Sequence, residues 1–320
     1  VRIWSNTKLF TNWATAIAFD RNLFKTDGVV TGLQTKIAQY FVYTGSGLTL
    51  SDLPTGFDQI TVGHLLNHTS GLPEYERFTP LSPFRYSRTD FDNEDLRTFL
   101  NRVIKNTSNE ILETEDYYSS LEELGTYSYG SSSTFLGRVL ERVFTEHNET
   151  ETSLQEIFDE LFFGPLDMKN SGFTIDPSKK NVAVFDGYEV EYPQTQTLFL
   201  GGESMFSTMN DLAKFGGMLA NRGLLPNGTH LINSSTYNLW TTLSVIPNND
   251  KTGIGCMDLQ TYGPTNDRYD VHGWTGAYNT HLYIKPGDDT TRGIAVVYIT
   301  QDNQMMSAYD ETIRILQSFA

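Results

Sequence analysis

Ser5 and Lys8, close to the start of the chain, are residues whose types and spacing could do chemistry. Side chains three positions apart lie on one face of a helix, so this hydroxyl and this amine can come within hydrogen-bonding distance. A serine at a helix start also lies beside unpaired N–H groups, which favour developing negative charge. The spacing is therefore compatible with an activated serine nucleophile. A serine in such a position is more often a helix cap, and the pair alone leaves both interpretations open.

The element that must position this pair is the helix predicted for the residues that follow. Apolar side chains recur there at intervals of three and four, which indicates a helix buried along most of its surface. These residues are Leu9, Phe10, Trp13, Ala14, Ile17 and Ala18. Ser5 and Lys8 are expected in the first turn of this helix.

Composition restricts the classes of function. The chain has 320 residues, of which 38% are hydrophobic, and this is enough for one large domain or two closely packed ones. A net charge of −16 argues against nucleic acid or an anionic membrane as a partner. Cys256 is the only cysteine, so neither an intrachain disulfide nor a cysteine metal cluster is expected. No apolar run approaches the roughly 20 residues that span a bilayer.

The cellular compartment is left open, with secretion slightly favoured by sequons for N-glycosylation. A chain so rich in Asn, Ser and Thr would contain about four of them by chance. Five are present, at Asn67, Asn106, Asn148, Asn227 and Asn233.

The residues from 60 to 72 form a second informative segment, Ile-Thr-Val-Gly-His-Leu-Leu-Asn-His-Thr-Ser-Gly-Leu. Thr61 is the predicted cap of a short helix that ends in the His-Thr-Ser-Gly turn. His64 and His68 are four residues apart and could share a metal ion, but no acidic or cysteine ligand stands at a suitable spacing. Structural histidines are therefore the favoured interpretation.

This segment resembles the signature of the serine β-lactamase-like superfamily, which includes class C β-lactamases, D-peptidases and family VIII-type esterases. The resemblance implies an α/β (α+β) fold, in which helices flank an antiparallel sheet and a mainly helical part adjoins it. Residues 1–30 and 194–320 would form the sheet part and residues 31–193 the helical part of a single β-lactamase-like domain. In this family a helix and two strands precede the Ser-x-x-Lys helix. We therefore expect that the chain is part of a longer precursor and lacks them.

Other patterns agree with this architecture. Helical spacing is found in residues 93–106, 154–163 and 310–320, and strand composition in residues 269–272, 280–284 and 293–300. A Tyr-, Gly- and Ser-rich turn precedes a further amphipathic helix, which carries Phe135, Leu136, Val139, Leu140 and Val143. Gly201 and Gly202 are expected to let the backbone approach the cleft, with Ser207 or Thr208 capping the next helix.

A tyrosine in the turn before the helix that carries Phe135 is implied by the resemblance. Class C enzymes carry Tyr-x-Asn in a register where this chain has Ser128, whereas the esterase-like branch has a tyrosine where this chain has Tyr129. Tyr129 is thus preferred to Tyr127. The Asn of Tyr-x-Asn is missing, and Ser131 occupies the matching place as a candidate substrate-binding residue.

The segment Gly273–Tyr278 is the counterpart of the family strand that carries Lys-Thr-Gly or His-x-Gly. Here it contains Trp274 and Gly276, as in the esterase-like branch. Glycine on such a strand lets a substrate lie along the backbone, and an inward N–H can bind an oxyanion. The backbone N–H groups of Ser5 and Ala277 are the predicted pair. Trp274 cannot bind a substrate carboxylate as lysine would, which favours neutral esters; packing is an equally good interpretation of this residue.

The predicted function is a serine hydrolase in which Ser5 forms an acyl-enzyme with an ester, or with a lactam or amide, or passes the acyl group to another acceptor. A lysine acts as a base only when burial lowers its pKa, and a tyrosine only when a nearby cation lowers its pKa, so a close Ser5–Lys8–Tyr129 cluster is required. The expected partner is a small-molecule acyl substrate, with no metal or other cofactor, and self-association is left open. The alternative is an inactive relative with a binding or assembly role.

Overall fold

The computed structural model describes residues 1–72, 95–109, 124–127, 129–174, 198–241, 258–261, 269–276, 279–288 and 290–300. The predicted C-terminal helix, Cys256 and Ala277 lie outside these residues. Within them the chain combines helices with antiparallel sheets, as predicted.

Eight α-helices are described. They are α1 (Thr7–Asp20), α2 (Ala38–Phe41), α3 (Val62–Leu66), α4 (Leu96–Asn109), α5 (Ser132–Asn148), α6 (Leu154–Phe158), α7 (Met209–Ala220) and α8 (Ser234–Trp240). A single π-helical turn, Asp159–Phe163, continues α6. Thr61 accepts a hydrogen bond from the backbone N–H of His64 and caps α3, and Thr208 caps α7 in the same way through Asp211. Both caps occur where the sequence predicts them.

The start of α1 differs from the expectation. Ser5 does not lie in the first α-helical turn but in a 3-10 turn, Trp4–Asn6, that leads into α1. The cause is local backbone geometry, because Trp4 adopts a left-handed φ of 50° and the N–H of Asn6 bonds to the carbonyl of Ile3 at 3.1 Å. Ser5 and Lys8 nevertheless remain three residues apart on a continuous helical path.

Two antiparallel sheets are described. A small hairpin pairs β1 (Lys25–Thr26) with β2 (Val29–Val30). The larger sheet has the order β3 (Asp258–Thr261), β4 (Tyr269–Gly276), β5 (Thr280–Lys285) and β6 (Ile294–Ile299). Trp274 pairs with Leu282, and Gly276 pairs with Thr280 at the end of β4. The three strands that the sequence predicts in this region are thus confirmed.

Helix α1 is buried along nearly its whole length, from Thr7 to Ala18. It packs against α5, α6 and α8, and the ring of Phe10 stacks on Phe215 of α7 with centroids 3.9 Å apart. Helix α7 in turn packs on β5 and β6. A Cβ atom on Gly216 of α7 would lie 2.7 Å from Leu282, so glycine allows this helix to lie close to the sheet. The core thereby connects α1 to strands β5 and β6 through α7. None of the described helices combines the length and the apolar character that crossing a membrane requires.

A buried ion pair holds α5. Arg138 donates to Glu141 at 3.0 Å and to the hydroxyl of Tyr43 at 2.6 Å, while Glu141 also accepts the N–H of Leu154 at 3.2 Å. Removal of one member of a buried pair leaves the other charge without compensation. The Arg138–Glu141 pair is therefore expected to matter more for stability than an exposed pair on the same helix.

We expect Glu141→Ala to lower the free energy of unfolding by about 3–5 kcal/mol, because it strands the Arg138 guanidinium in the core. The matched control is Glu146→Ala, which removes the exposed partner of Arg142 on the same helix and should cost less than about 1 kcal/mol. Urea denaturation followed by circular dichroism measures both. Equal losses in the two variants would contradict the prediction.

Candidate active site

The structure brings together Ser5, Lys8 and Tyr129, although Tyr129 is 124 residues away from Ser5 in sequence. The Oγ atom of Ser5 lies 2.9 Å from the hydroxyl oxygen of Tyr129 and 3.1 Å from Nζ of Lys8. The same amine lies 4.9 Å from the centre of the Tyr129 ring. Both distances to Ser5 fall within the range in which a proton can be transferred directly.

Lys8 is held in place by a second hydrogen bond besides its contact with Ser5. Its side chain is buried, and the ammonium group also donates to the carbonyl of Gly202 at 2.8 Å. This second bond fixes the amine at the base of the site, since a lysine side chain has several rotatable bonds and would otherwise sample many positions. The amine of Lys8 is thus within hydrogen-bonding distance of both the Gly202 carbonyl and Oγ of Ser5.

The two glycines of the Gly-Gly pair permit this contact. A Cβ on Gly201 would lie 2.7 Å from the carbonyl oxygen of Ser133 and 3.0 Å from Oγ1 of Thr11. Thr11 donates to the carbonyl of Gly201 at 2.6 Å and ties the segment to α1. Glycine is thus needed at 201 so that the carbonyl of Gly202 can reach Lys8. This agrees with the close backbone approach expected from the sequence.

The end of β4 packs against the turn that carries Ser5. Oγ1 of Thr280 donates to the carbonyl of Ile3 at 3.1 Å, and the side-chain amide of Asn6 donates to the carbonyl of Thr280 at 2.9 Å. A Cβ on Gly276 would lie 2.5 Å from the Ile3 carbonyl and 3.2 Å from the backbone nitrogen of Ser5. The strand end and the Ser5 amide are therefore neighbours. Ala277, the predicted second oxyanion donor, lies outside the described residues.

The backbone is strained directly before Ser5. Trp4 is a bulky residue with a φ of 50°, a conformation that such residues rarely adopt. The guanidinium of Arg2 lies 5.1 Å from the centres of both the Trp4 and the Phe206 rings and fastens this residue to the surrounding structure. Strain of this kind persists where neighbouring contacts enforce it, and it is concentrated at functional sites.

Two further rings lie nearly parallel to the ring of Tyr129. The His68 imidazole is 5.0 Å away at an angle of 15°, and the Trp274 indole is 6.0 Å away at 16°. Burial, together with the nearby charge of Lys8, lowers the pKa of His68 to about 3, so its ring is neutral at physiological pH. The contact between His68 and Tyr129 is missing from the sequence-based prediction. The His-Thr-Ser-Gly turn indicates a structural role but not the residue that it contacts.

The remaining predicted residues are placed as follows. Ser131 lies at the start of α5 and is only 3% exposed, so its contact with substrate stays a prediction. The ring of Tyr127 lies 6.2 Å from that of His68, whereas the Tyr129 hydroxyl reaches Ser5.

His64 accepts the N–H of Thr61 through Nδ1, as expected for a structural histidine. In the described part of the chain, no group of three or more His, Cys, Asp or Glu residues could hold a metal ion.

Comparison with known proteins gives a consistent family. The family model described as Beta-lactamase matches residues 1–318. The fold is similar to that of a Beta-lactamase/D-alanine Carboxypeptidase from Yersinia pestis complexed with citrate, at 17% identity and a TM-score of 0.67 over 99% of this chain and 83% of that one. A family VIII carboxylesterase matches at 15% identity and a TM-score of 0.66, over 99% and 82% of the two chains.

A third solved structure, titled "EstCE1, a hydrolase with promiscuous acyltransferase activity", matches at 16% identity and a TM-score of 0.62. It covers 98% of this chain and 84% of that one. The search of curated proteins returned no match. At these identities the solved structures establish the fold alone.

Proposed function

Because this chain belongs to the beta-lactamase family, we propose that it is a serine hydrolase that cleaves esters through an acyl-enzyme on Ser5. The observation that carries this proposal is the hydrogen-bonded cluster of Ser5, Lys8 and Tyr129. A merely capping serine would need neither a buried amine nor a phenol hydroxyl at its oxygen. Covalent catalysis by serine needs a base in contact with the nucleophile, and two candidates are present here.

In the proposed mechanism, Oγ of Ser5 attacks the carbonyl carbon of the substrate while its proton passes to the neutral amine of Lys8 or to the phenolate form of Tyr129. The carbonyl π bond breaks and its electrons form the oxyanion of a tetrahedral intermediate. When the intermediate collapses, the bond to the leaving alkoxide breaks and the same group returns the proton to it. Water then repeats these steps on the acyl-enzyme, releasing the acid and free Ser5.

The oxyanion would be bound by the backbone N–H groups of Ser5 and Ala277. A Cβ on Gly276 would lie 3.2 Å from the backbone nitrogen of Ser5, and this proximity supports the assignment because Ala277 directly follows Gly276 in the sequence. One such donor commonly contributes about 3 kcal/mol to stabilisation of the transition state.

Esters are the proposed substrate class because of Trp274. An indole offers no positive charge for a substrate carboxylate, and in this structure it lies against the ring of Tyr129. Neutral acyl groups are therefore favoured over charged peptides and penicillins. A carboxylesterase and a hydrolase with acyltransferase activity are among the structural relatives. Transfer of the acyl group to an alcohol or amine, in place of hydrolysis, is therefore a second candidate reaction.

The inactive alternative is less well supported. In a catalytically inactive site, the lysine is not expected to stay within about 3.2 Å of the serine, which is the hydrogen-bonding limit. The observed 3.1 Å favours the enzyme.

The proposal is tested by labelling with a fluorophosphonate probe, which phosphonylates serine nucleophiles with loss of fluoride, followed by peptide mapping. We expect one modified residue, Ser5, and loss of the label in Ser5→Ala. Ser51→Ala, which changes an exposed serine, and heat-unfolded protein serve as controls for unspecific reaction. A label on another serine, or equal labelling of Ser5→Ala and the unaltered chain, would refute the proposal.

A further inference from the structure

His68 has three features that a residue used only to fill space would not need. It is 1% exposed, its ring lies flat against Tyr129, and its backbone is held at a left-handed φ of 50°. Histidine tolerates this backbone conformation better than most residues, but the conformation still raises the energy of the folded state. The surrounding structure therefore enforces one position of this ring.

Both nitrogen atoms of the imidazole face the segment that carries Tyr129. Nδ1 accepts the backbone N–H of Gly130 at 3.5 Å, and Nε2 lies 3.4 Å from Oγ of Ser133. Since Nδ1 is an acceptor and the ring is neutral, the proton is on Nε2 and points to the serine hydroxyl. Gly130, which precedes α5, and Ser133, in the first turn of α5, thus fix the orientation of the imidazole.

The neighbours of His68 bind the same segment. The carbonyl of Thr69 accepts the N–H of Gly125 at 2.9 Å, and Oγ of Ser70 lies 2.8 Å from Oγ of Ser132. The turn from 68 to 71 and the turn before α5 are therefore joined at several points. His68 extends this contact to the ring of Tyr129.

We propose that His68 is the positioning residue for Tyr129: its neutral imidazole forms a flat surface that directs the phenol hydroxyl towards Ser5. This inference rests on the proposed function. Tyr129 is 36% exposed, so solvent borders a substantial part of its side chain and cannot fix the direction of the hydroxyl. The nearly parallel rings of His68 and Trp274 supply that restriction instead. A small displacement of the hydroxyl would lengthen its 2.9 Å contact with Ser5.

The inference predicts a change in rate rather than in binding. His68→Ala should lower kcat for a neutral ester about 10- to 100-fold, as expected for a catalytic group moved by roughly 1 Å. KM should change by less than about twofold, because His68 is buried and does not touch the substrate. The matched control is His64→Ala, a histidine of the same segment that bonds to Thr61 and should leave kcat unchanged.

Two replacements separate the ring from the backbone. His68→Phe keeps a flat ring and loses both nitrogen atoms, whereas His68→Asn keeps polar atoms and tolerates the left-handed backbone but has no ring. We expect phenylalanine to restore most of the rate lost in His68→Ala and asparagine not to restore it. Restoration by asparagine alone would show that His68 serves the backbone turn, and would overturn the inference.

A second readout does not depend on activity. In protein labelled with 3-fluorotyrosine, the ¹⁹F resonance missing from Tyr129→Phe identifies Tyr129, and we expect its shift to change in His68→Ala but not in His64→Ala. An unchanged resonance and an unchanged kcat in folded His68→Ala would refute the positioning role while Ser5 labelling still supports the hydrolase. If Ser5 is not labelled in the unaltered chain, the proposed function fails, and the catalytic part of this inference fails with it.

Discussion

Methionine in place of Lys8 is expected to lower kcat/KM for ester hydrolysis about 10²- to 10⁴-fold, the usual contribution of a general acid–base group. Methionine has a similar length and fits an apolar, buried position, so the substitution removes the amine with little loss of volume. The lost contacts are the 3.1 Å bond to Ser5 and the 2.8 Å bond to Gly202. Steady-state kinetics with a p-nitrophenyl ester measure the effect, and labelling with the fluorophosphonate probe should slow in parallel.

Tyr129→Phe tests whether the two groups act together. It removes the hydroxyl whose oxygen lies 2.9 Å from Oγ of Ser5, and it keeps the aromatic ring. We expect a loss of similar size, and the double variant Lys8→Met/Tyr129→Phe should lose little more than either single one, because residues that act as a unit are not additive. Lys36→Met, at an exposed lysine whose amine bonds to the backbone carbonyl and the side chain of Gln59, is the control for loss of charge. Activity within about twofold of the unaltered chain in folded Lys8→Met would exclude Lys8 as a proton-transfer group.

The pairing of Ser5 with Lys8 could be predicted from sequence because it depends on local geometry. A separation of three residues places the two side chains on one face of the helical path. This holds both for a continuous α-helix and for a 3-10 turn that leads into an α-helix. The exact start of α1 could not be predicted. Its position depends on the left-handed Trp4, and that conformation is enforced by tertiary contacts such as Arg2 with Phe206 and the bond from Ile3 to Met205.

Tyr129 could not be paired with Ser5 from periodicity or composition, because no local rule relates residues 124 positions apart. The family resemblance gave the register of the tyrosine, and the structure gives the distance. The Gly201–Gly202 pair is an intermediate case. Its composition indicates a close backbone approach, but only the packed structure shows that the carbonyl of Gly202 meets Lys8. His68 follows the same pattern, since the sequence predicts its structural role and not the ring it contacts.

Gly276→Ala is the second substitution that is expected to lower kcat/KM strongly. It changes the shape of the site and leaves the proton-transfer groups in place. The added methyl group would collide with Oγ1 of Thr280 and would lie 2.5 Å from the carbonyl oxygen of Ile3. Thr280 could rotate only by giving up its bond to that carbonyl, and the carbonyl itself belongs to the backbone. The end of β4 must therefore move away from the turn that carries Ser5.

Such a movement would separate the two sides of the proposed oxyanion site, so kcat/KM should fall about 10²- to 10³-fold, as when one oxyanion donor is lost. Burst kinetics with the p-nitrophenyl ester would assign the loss to acylation of Ser5. The matched control is Gly217→Ala on α7, where a Cβ meets nothing within 4 Å and alanine favours the helix. Because the methyl group also strains the fold, the unfolding midpoint of both variants is measured first. A folded Gly276→Ala protein that acylates Ser5 at the unaltered rate would contradict this prediction. The steric conflict beside Ser5 would then have been relieved without any effect on the chemistry, so the end of β4 would not shape the site for the transition state.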